Sequence, residues 1–388
     1  MWYSTLFLRL YSEILEDDWI KNDINQGDVQ QAIRYMHEVY RGNPENLSKD
    51  NYPITDYNKL AYRCAYLYKY APIHTALVYE AVSRALTENR YIFRMFQDLV
   101  LLKKPFNICS LGSGPGTDVI GVLAALYDKL CFFPSSAKLV DIMPEWKGTF
   151  QSVIKKLRLE NHSYGILSQS VNQRQFDWSF IGADLQEQLS EDLNVVIEAA
   201  DLITLVKFVS AVACKKTSEM IEKIFQILKP GAMVLFIDNA AGGFQELITL
   251  AAKKHHLIPI FGPLNHELYV NETFNLEKFG YKSCYKTRVA VQLLLKIDPG
   301  HYSIGMNLSS KPYLNQTNHS QGHLLQYRYE ARNVRIPIRW TEAFMPMPFD
   351  LNSMYNIDVR RTALLRNRNY LNYKGFNLQY PSYFPALT

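Results

Sequence analysis

The first 104 residues carry apolar side chains at the three- and four-residue spacing of a helix. Two segments, around 8–15 and 29–39, predict short amphipathic helices, and the strongest apolar stripe predicts a long helix from about Thr75 to Leu102. Five tyrosines lie around the start of that helix: Tyr62, Tyr66, Tyr68, Tyr70 and Tyr79. We interpret them as an aromatic face that packs on the region that follows.

From Pro105 the pattern changes to short apolar runs that alternate with helical stripes. The predicted strands are 107–111, 137–142, 176–181, 202–208 and 233–238, and the predicted helices are 117–130, 145–157, 218–228 and 244–254. A closing pair of strands is predicted over 281–286 and 289–296. Strands that alternate with helices in this way predict an α/β fold with a doubly wound, mostly parallel sheet.

A glycine-rich turn, Gly112-Ser113-Gly114-Pro115-Gly116, joins the first strand to the next helix. Such glycines let the backbone turn sharply and let a ligand approach its amides. Asp141 ends the second strand, where a carboxylate can accept from both hydroxyls of a ribose, and Asp184 follows the third, where one can accept from an adenine amine. The dinucleotide spacing G-x-G-x-x-G is not met, and no Gly-Lys-Ser/Thr follows, so a nicotinamide enzyme is disfavoured and a P-loop is excluded.

At these residues the chain resembles the class I S-adenosylmethionine-dependent methyltransferases, over about 105–296. The glycine turn, Asp141, Ala183-Asp184-Leu185 and the Leu228–Ala232 segment before the fifth strand match that family's motifs in order. The resemblance implies a Rossmann-like, seven-stranded methyltransferase sheet and S-adenosylmethionine as the cofactor. It implies these cofactor-binding residues: Gly112, Ser113, Gly114 and Gly116 toward the methionine moiety, Asp141 with Ile142 at the ribose, and Asp184 with Leu185 at the adenine.

One position departs from the family pattern. Ser110 stands two residues before the first glycine, where the family often has an acid, and this leaves the usual contact to the methionine amine open. A narrower resemblance is carried by Tyr66-Leu67-Tyr68-Lys69-Tyr70-Ala71-Pro72 and by Val140-Asp141-Ile142 followed by Trp146. There the chain is similar to the fungal large-subunit ribosomal RNA uridine N3 methyltransferases, which implies a uridine in ribosomal RNA as the acceptor.

The end of the fourth strand, Leu205–Ser210, is expected to select the methyl acceptor. No Asn/Asp-Pro-Pro-Tyr/Phe sequence occurs there, which argues against transfer to an exocyclic base amine or a glutamine amide. Lys207 could act as a base only if burial lowered its pKa, and we expect it to be a solvated strand end. Phe208 could stack an acceptor ring or pack in the core, and Cys214 is expected to be a small residue before a helix. No catalytic residue is assigned.

The composition bears on disulfides, metal sites and membrane spans. The five cysteines are widely spaced and contain no C-x-x-C, which disfavours a disulfide framework and a structural zinc site. His255, His256 and His266 lack cysteine or acidic partners at metal spacing, so no metal site is predicted. No apolar run reaches the roughly 18 residues of a membrane span. We therefore expect an intracellular protein, cytoplasmic or nuclear, without a membrane partner.

The net charge of +5 is concentrated at one end of the chain. Residues 321–388 hold nine basic and four acidic residues, eight of the nine being arginine, so the remainder is neutral. Arginines interleaved with tyrosine and tryptophan suit an RNA partner, because guanidinium groups bind phosphates while aromatic faces stack bases. The alternative is an extension wrapped on the domain, its arginines paired with acidic surface residues.

These observations predict three regions: a helical N-terminal lid or substrate region over 1–104, a cofactor-binding domain over 105–298, and an irregular loop with a basic C-terminal extension over 299–388. The predicted function is methyl transfer to RNA. The alternatives are methylation of a small molecule or a protein, or an inactive methyltransferase fold that serves as a binding module. The sequence leaves the oligomeric state open.

Overall fold

The structure is a computed structural model, and it describes residues 2–40, 47–50, 54–102, 104–132, 134–159, 164–171, 176–269, 277–284 and 286–298. The predicted loop and basic extension over 299–388 lie outside the described residues. Every structural statement below concerns the described part of the chain.

Five helices precede the sheet: α1 (Trp2–Asn22), α2 (Gln26–Val39), α3 (Leu60–Lys69), α4 (Ala71–Glu88) and α5 (Arg90–Leu101). The two predicted helical segments lie in α1 and α2, and α1, at 21 residues, is longer than predicted. The prediction of one helix over 75–102 is wrong, because the helix is divided at Asn89. The Asn89 side chain accepts hydrogen bonds from the backbone amides of Tyr91 (3.0 Å) and Ile92 (3.3 Å), and so starts a new helix.

The remaining described elements alternate between strands and helices for most of their length. They are β1 (Asn107–Leu111), α6 (Thr117–Leu130), β2 (Ser136–Asp141), α7 (Trp146–Leu159), α8 (Ile166–Val171), β3 (Asp177–Gly182), α9 (Glu191–Ala199), β4 (Leu202–Val206), α10 (Thr217–Ile227), β5 (Met233–Asn239), α11 (Phe244–Lys254), β6 (Leu257–Tyr269), β7 (Glu277–Lys278), β8 (Tyr281–Lys282) and β9 (Lys286–Lys296). The five predicted parallel strands are all confirmed to within two residues.

Seven strands form one sheet in the order β3-β2-β1-β4-β5-β9-β6. The first five are parallel, β9 is antiparallel to β5, and β6 is antiparallel to β9. The chain therefore winds outward from β1 in one direction, returns to the centre, and continues from β4 in the other. This confirms the doubly wound α/β fold, whose ligands bind where the strand order reverses.

The predicted closing pair of strands is half right. The strand over 289–296 is confirmed as β9, but its partner is β6, which was not predicted, while 281–282 belongs to a separate two-stranded hairpin. The sequence of β6 contains Pro259, Gly262 and Pro263, which are unfavourable in a strand interior. The strand tolerates them because it lies at the sheet edge, where its register shifts between Pro259 and Leu264.

Helices cover both faces of the sheet. One apolar core joins α1, α4, α5, α6, α7 and α8 to the first face, and a second joins α9, α10 and α11 to the other. Of the helices before the sheet, α1, α4 and α5 belong to the first core, where α4 packs closely on α6, whereas α2 and most of α3 form a third apolar cluster. A Cβ added at Gly121 of α6 would lie 2.7 Å from the Val78 Cβ and 2.8 Å from the Thr75 carbonyl oxygen of α4.

No helix in the described part of the chain is long and apolar enough to cross a membrane. Within the same residues, no group of three or more His, Cys, Asp or Glu side chains is arranged to hold a metal ion.

Candidate active site

A cleft lies at the carboxyl ends of β1–β4, on the edge of the sheet where the strand order reverses. It encloses about 810 Å³, counting its open mouth. Two groups of residues line it. The strand side comprises the ends of β1–β4 and the turns after them: Gly112, Gly114, Asp141, Ile142, Met143, Ala183, Asp184, Leu185, Gln186, Val206, Lys207 and Phe208. The tyrosine side comprises Tyr40, Ile54, Thr55, Tyr57, Tyr66 and Trp146.

The glycine turn begins the strand side. Gly112 has a positive φ of 65°, and a Cβ added there would lie 2.0 Å from the Phe208 ring, so only glycine lets the turn pack on Phe208. Gly114 also has a positive φ, of 50°, but a Cβ added there would lie 4.0 Å from its nearest neighbour, the Trp146 ring. The backbone at Gly114 is therefore open to a ligand, whereas the backbone at Gly112 is closed by Phe208.

Asp141 is held on the strand side by two backbone amides. Its Oδ2 accepts from the Gly114 amide at 2.8 Å, and its Oδ1 accepts from the Met143 amide at 2.9 Å. Burial raises the pKa of Asp141 to about 6, against the lowering effect of the two amides. Each oxygen keeps a second lone pair, so the ionised group can accept two further hydrogen bonds from a ligand.

Asp184 and its neighbours continue this side. The Asp184 Oδ1 accepts from the Gln186 amide at 2.9 Å, and the carboxyl group lines the cleft. Two apolar side chains accompany the carboxylates, namely Leu185, which is buried, and Ile142, which is 36% exposed. The cleft surface thus contains six of the eight predicted cofactor residues, Gly112 included.

The other two predicted residues, Ser113 and Gly116, lie behind the cleft surface. Ser113 is buried, and its hydroxyl has no hydrogen-bond partner among the described residues. Gly116 lies directly before α6 with a φ of 74°, and a Cβ there would lie 2.3 Å from the Phe150 ring. The geometry gives Gly116 a packing role, and binding roles for both residues stay predictions.

Ser110, the departure from the family pattern, is fully buried and takes part in a hydrogen-bond cluster. Its hydroxyl donates to the Asp118 Oδ2 at 2.6 Å, and the Thr204 hydroxyl donates to the same oxygen. The Asp118 Oδ1 accepts from the Val119 amide at 2.9 Å, while burial raises the pKa of this carboxyl group. The cluster links β1, β4 and α6 beneath the glycine turn. The spacing of these residues in the sequence did not reveal the cluster.

The tyrosine side is built by residues before the sheet together with Trp146 of α7. The Tyr40 and Tyr57 hydroxyls share a hydrogen bond, and the Trp146 ring lies 4.9 Å from that of Tyr57 and 5.5 Å from that of Tyr66. Burial raises the pKa of Tyr40 to about 12 and raises those of Tyr57 and Tyr66 well above the usual value. These phenols are therefore neutral near pH 7.

The predicted packing of the tyrosines around the start of the long helix on the region that follows is met by Tyr68 but not by Tyr62, whose partner lies in α2. Tyr62 lies edge-on to Tyr35, and Tyr68 lies edge-on to Phe279. The packing interpretation is incomplete for Tyr66, because this side chain also lines the cleft. Tyr40 and Tyr57 were missed, because nothing in their sequence neighbourhoods shows that they meet.

Lys207 differs from the solvated strand end that was predicted. It is half-buried on the cleft surface directly after β4, with a positive φ of 54°. Its Nζ donates to the Asn239 Oδ1 at 2.6 Å. Burial lowers the pKa of the amine, opposed by the charge of Asp238. Phe208, next to it, packs on Gly112 and also lines the cleft, so its packing role is confirmed and stacking on an acceptor ring stays a prediction.

Comparison with known proteins identifies the family. Residues 45–278 match a protein family described as "Putative SAM-dependent methyltransferase". No curated protein sequence matches the chain.

Several solved structures are similar to the chain at low sequence identity. A protein from Pyrococcus horikoshii titled a "putative RNA methyltransferase" is 17% identical, with 52% of this chain and 80% of that chain covered and a TM-score of 0.32. A SAM-dependent methyltransferase from Methanosarcina mazei is 12% identical, with 51% and 97% covered and a TM-score of 0.34. An O-methyltransferase family protein from Burkholderia thailandensis is 12% identical, with 71% and 73% covered and a TM-score of 0.36.

The family match spans more than half of the chain and includes the glycine turn, both cleft carboxylates and Lys207. The sheet order and the cleft at its reversal point agree with it. The chain therefore belongs to this family of S-adenosylmethionine-dependent methyltransferases.

Proposed function

We propose that this methyltransferase acts on RNA, with a uridine of ribosomal RNA as its acceptor. The observation that carries the proposal is a cleft with two unlike sides, one with two carboxylates and a glycine turn and one with aromatic rings. The first suits a nucleoside cofactor, and the second suits a planar base, because aromatic side chains stack on unpaired bases. The arginine-rich segment 321–388 supplies cations for the phosphates.

The residues of the strand side fit the cofactor. Asp141 has lone pairs free for the ribose hydroxyls, Asp184 is available to the adenine amine, and Ile142 exposes an apolar surface for the adenine ring. The open backbone at Gly114 suits the methionine moiety. When bound, S-adenosylmethionine supplies a methyl group on a positively charged sulfur, and the protein positions the acceptor and excludes water.

The cofactor assignment is tested by calorimetry with S-adenosylmethionine. Asp141→Asn should weaken binding about 10- to 100-fold, since a hydrogen bond to a charged group contributes about 1.5–3 kcal/mol. Asp192→Asn, an exposed carboxylate on α9, is the matched control and should bind as the wild type does. Unchanged binding in Asp141→Asn would remove the cofactor site from this side of the cleft, and no binding by the wild type would favour a binding module.

The RNA assignment is tested by nucleoside mass spectrometry of ribosomal RNA from cells that lack the protein, where one methylated uridine should disappear. In vitro, RNA affinity should fall steeply with salt. Replacing Arg360, Arg361, Arg366 and Arg368 with Gln should flatten that dependence. Cofactor binding with no RNA binding at low salt would favour a small-molecule or protein acceptor.

A further inference from the structure

We propose that Lys207 is the general base of the reaction, and that its amine removes the N–H proton of the acceptor base on the cleft surface. This inference rests on the proposed methylation of a nucleobase and names the residue that prepares it. It also defines the acceptor chemically as a weakly acidic ring N–H, as in the imide of uracil, because an amine base can take that proton.

The backbone holds Lys207 in an uncommon conformation. β4 ends at Val206, and the Lys207 amide still donates to the Ile237 carbonyl of β5 at 2.7 Å, although its φ of 54° lies in the left-handed region. A residue other than glycine in that region is strained, and such residues cluster at functional sites. Here the conformation turns the chain so that both Lys207 and Phe208 line the cleft beside Gly112.

The side chain is equally constrained. The Lys207 Nζ donates to the Asn239 Oδ1 at 2.6 Å, and a neutral amine could keep that bond while its lone pair faces the acceptor. The charged or titratable groups near it come from three neighbouring parts of the fold. They are Asp238 on β5, Cys284 between β8 and β9, and His74 on α4.

The balance of these effects lowers the pKa of the amine, which enlarges its neutral fraction at a given pH. Burial lowers the pKa of Lys207, and the opposing influence of Asp238 and Cys284 is smaller. Asp238 is already occupied, since its two oxygens accept from the Ser210 amide at 2.9 Å and the Asn239 amide at 2.7 Å. A lysine with a lowered pKa can act as a base near neutral pH.

The other titratable groups near the cleft suit this role less well. Tyr57 and Tyr66 have raised pKa values and are neutral acids. His74 bonds to the Tyr66 hydroxyl through Nδ1 at 2.9 Å, and burial holds its pKa well below the usual value, which makes it a weak base. Asp141 and Asp184 already accept from backbone amides and lie with the predicted cofactor residues.

The proposed step is balanced without any further reactant. The N–H bond of the acceptor breaks, its proton passes to the Lys207 Nζ, and the electron pair remains on the ring nitrogen. That nitrogen forms a bond to the methyl carbon of S-adenosylmethionine. The bond between this carbon and sulfur breaks at the same time, and the electron pair of the broken bond stays on sulfur. The products are the methylated base and S-adenosylhomocysteine, and Lys207 afterwards releases its proton to water.

Three variants test this assignment with the full chain. Lys207→Met removes the base and should lower kcat for RNA methylation about 100- to 10,000-fold. Lys207→Arg keeps a positive charge that does not deprotonate, so it should lose as much. Lys253→Met, at an exposed position on α11, is the control and should keep wild-type kcat. Affinity for S-adenosylmethionine, measured by calorimetry, should change less than about threefold in all three.

A readout independent of turnover is the reactivity of individual lysines toward acetic anhydride, followed by mass spectrometry across a pH series. Lys207 should begin to react at lower pH than Lys253. The wild-type rate of methylation should rise with pH over the same range as the Lys207 reactivity, and Lys207→Met should lack that rise.

Two results would overturn the inference: kcat of Lys207→Met within threefold of wild type, or full activity in Lys207→Arg. Equal titration of Lys207 and Lys253 would do the same. Failure of the proposed function looks different, since the wild-type protein itself would then methylate no RNA, and the base assignment would be refuted with it.

Discussion

The strand side and the tyrosine side of the cleft differ in how each is held in place. On the strand side, Asp141 and Asp184 accept from amides within the turns that follow β2 and β3 or from the neighbouring glycine turn. On the tyrosine side, Tyr40 bonds to Tyr57, and Tyr57 packs against Trp146 of α7, many residues farther along the chain. The first side is built from strand ends and the second from contacts between distant segments.

This difference indicates a division of labour. Amides and carboxylates at strand ends have positions fixed by the sheet, which suits a cofactor that is bound in the same way in every cycle. Aromatic rings carried by separate helices and loops can vary without disturbing the sheet, which suits recognition of a particular acceptor. Substitutions on the two sides should therefore change different measured quantities.

The largest expected effect is on stability, at the strand side. Gly112→Ala would place a Cβ 2.0 Å from the Phe208 ring at a φ of 65°, so it should lower the free energy of unfolding by about 2–4 kcal/mol. Chemical denaturation measures this. Gly148→Ala is the control, since Gly148 lies in α7 with no atom within 4 Å of an added Cβ, and it should be neutral or slightly stabilising. Equal stability of both variants would contradict the packing of the turn on Phe208.

The second expected effect tests whether the tyrosine side binds RNA while the strand side binds the cofactor. Tyr57→Leu removes an aromatic ring from the tyrosine side, and it should raise the KM for RNA about 5- to 100-fold, because one base stacked on an aromatic ring contributes about 1–3 kcal/mol. Affinity for S-adenosylmethionine should change less than about threefold. Steady-state kinetics and calorimetry on the same preparation measure the two. A larger loss in cofactor affinity than in KM would reverse the proposed division of labour.

The third effect is a pH dependence that belongs to the strand side. The pKa of Asp141 is raised to about 6, and the ionised form accepts hydrogen bonds from the ribose hydroxyls. Affinity for S-adenosylmethionine should be full well above that pKa and fall as the pH drops through about 6, approaching tenfold per pH unit below it. Calorimetry across this range measures the effect. Asp141→Asn should bind weakly with no such dependence, and a parallel decline in that variant would assign the titration to another group.

The smallest effect is at the tyrosine side. Tyr40→Phe removes one hydroxyl from the bond with Tyr57 and should lower the free energy of unfolding by about 0.5–1.5 kcal/mol. Comparison of Tyr40→Phe and Tyr57→Phe with the double variant isolates the coupling between the two hydroxyls. Strictly additive losses would show that the two tyrosines act independently.

The amino-acid pattern predicted the parallel part of the fold with near-correct boundaries, and it missed elements whose local signals oppose their structure. The strand β6 carries two prolines and a glycine and exists because it pairs with β9 at the sheet edge. The division of the long helix at Asn89 was missed because the apolar stripe continues through it, although the Asn89 side chain caps α5. At β6 and at Asn89, a specific interaction determines the structure although the local sequence pattern favours a different one.

The same contrast holds at the site. Glycines at alternate positions and carboxylates after successive parallel strands determined the strand side, because parallel strands bring their carboxyl ends to one edge whatever the rest of the chain does. Only the tertiary structure brought Tyr40, Tyr57 and Tyr66 to that edge. The tertiary structure also places Lys207 half-buried in the cleft. The protonation of its amine depends on the burial and the charges that distant segments supply.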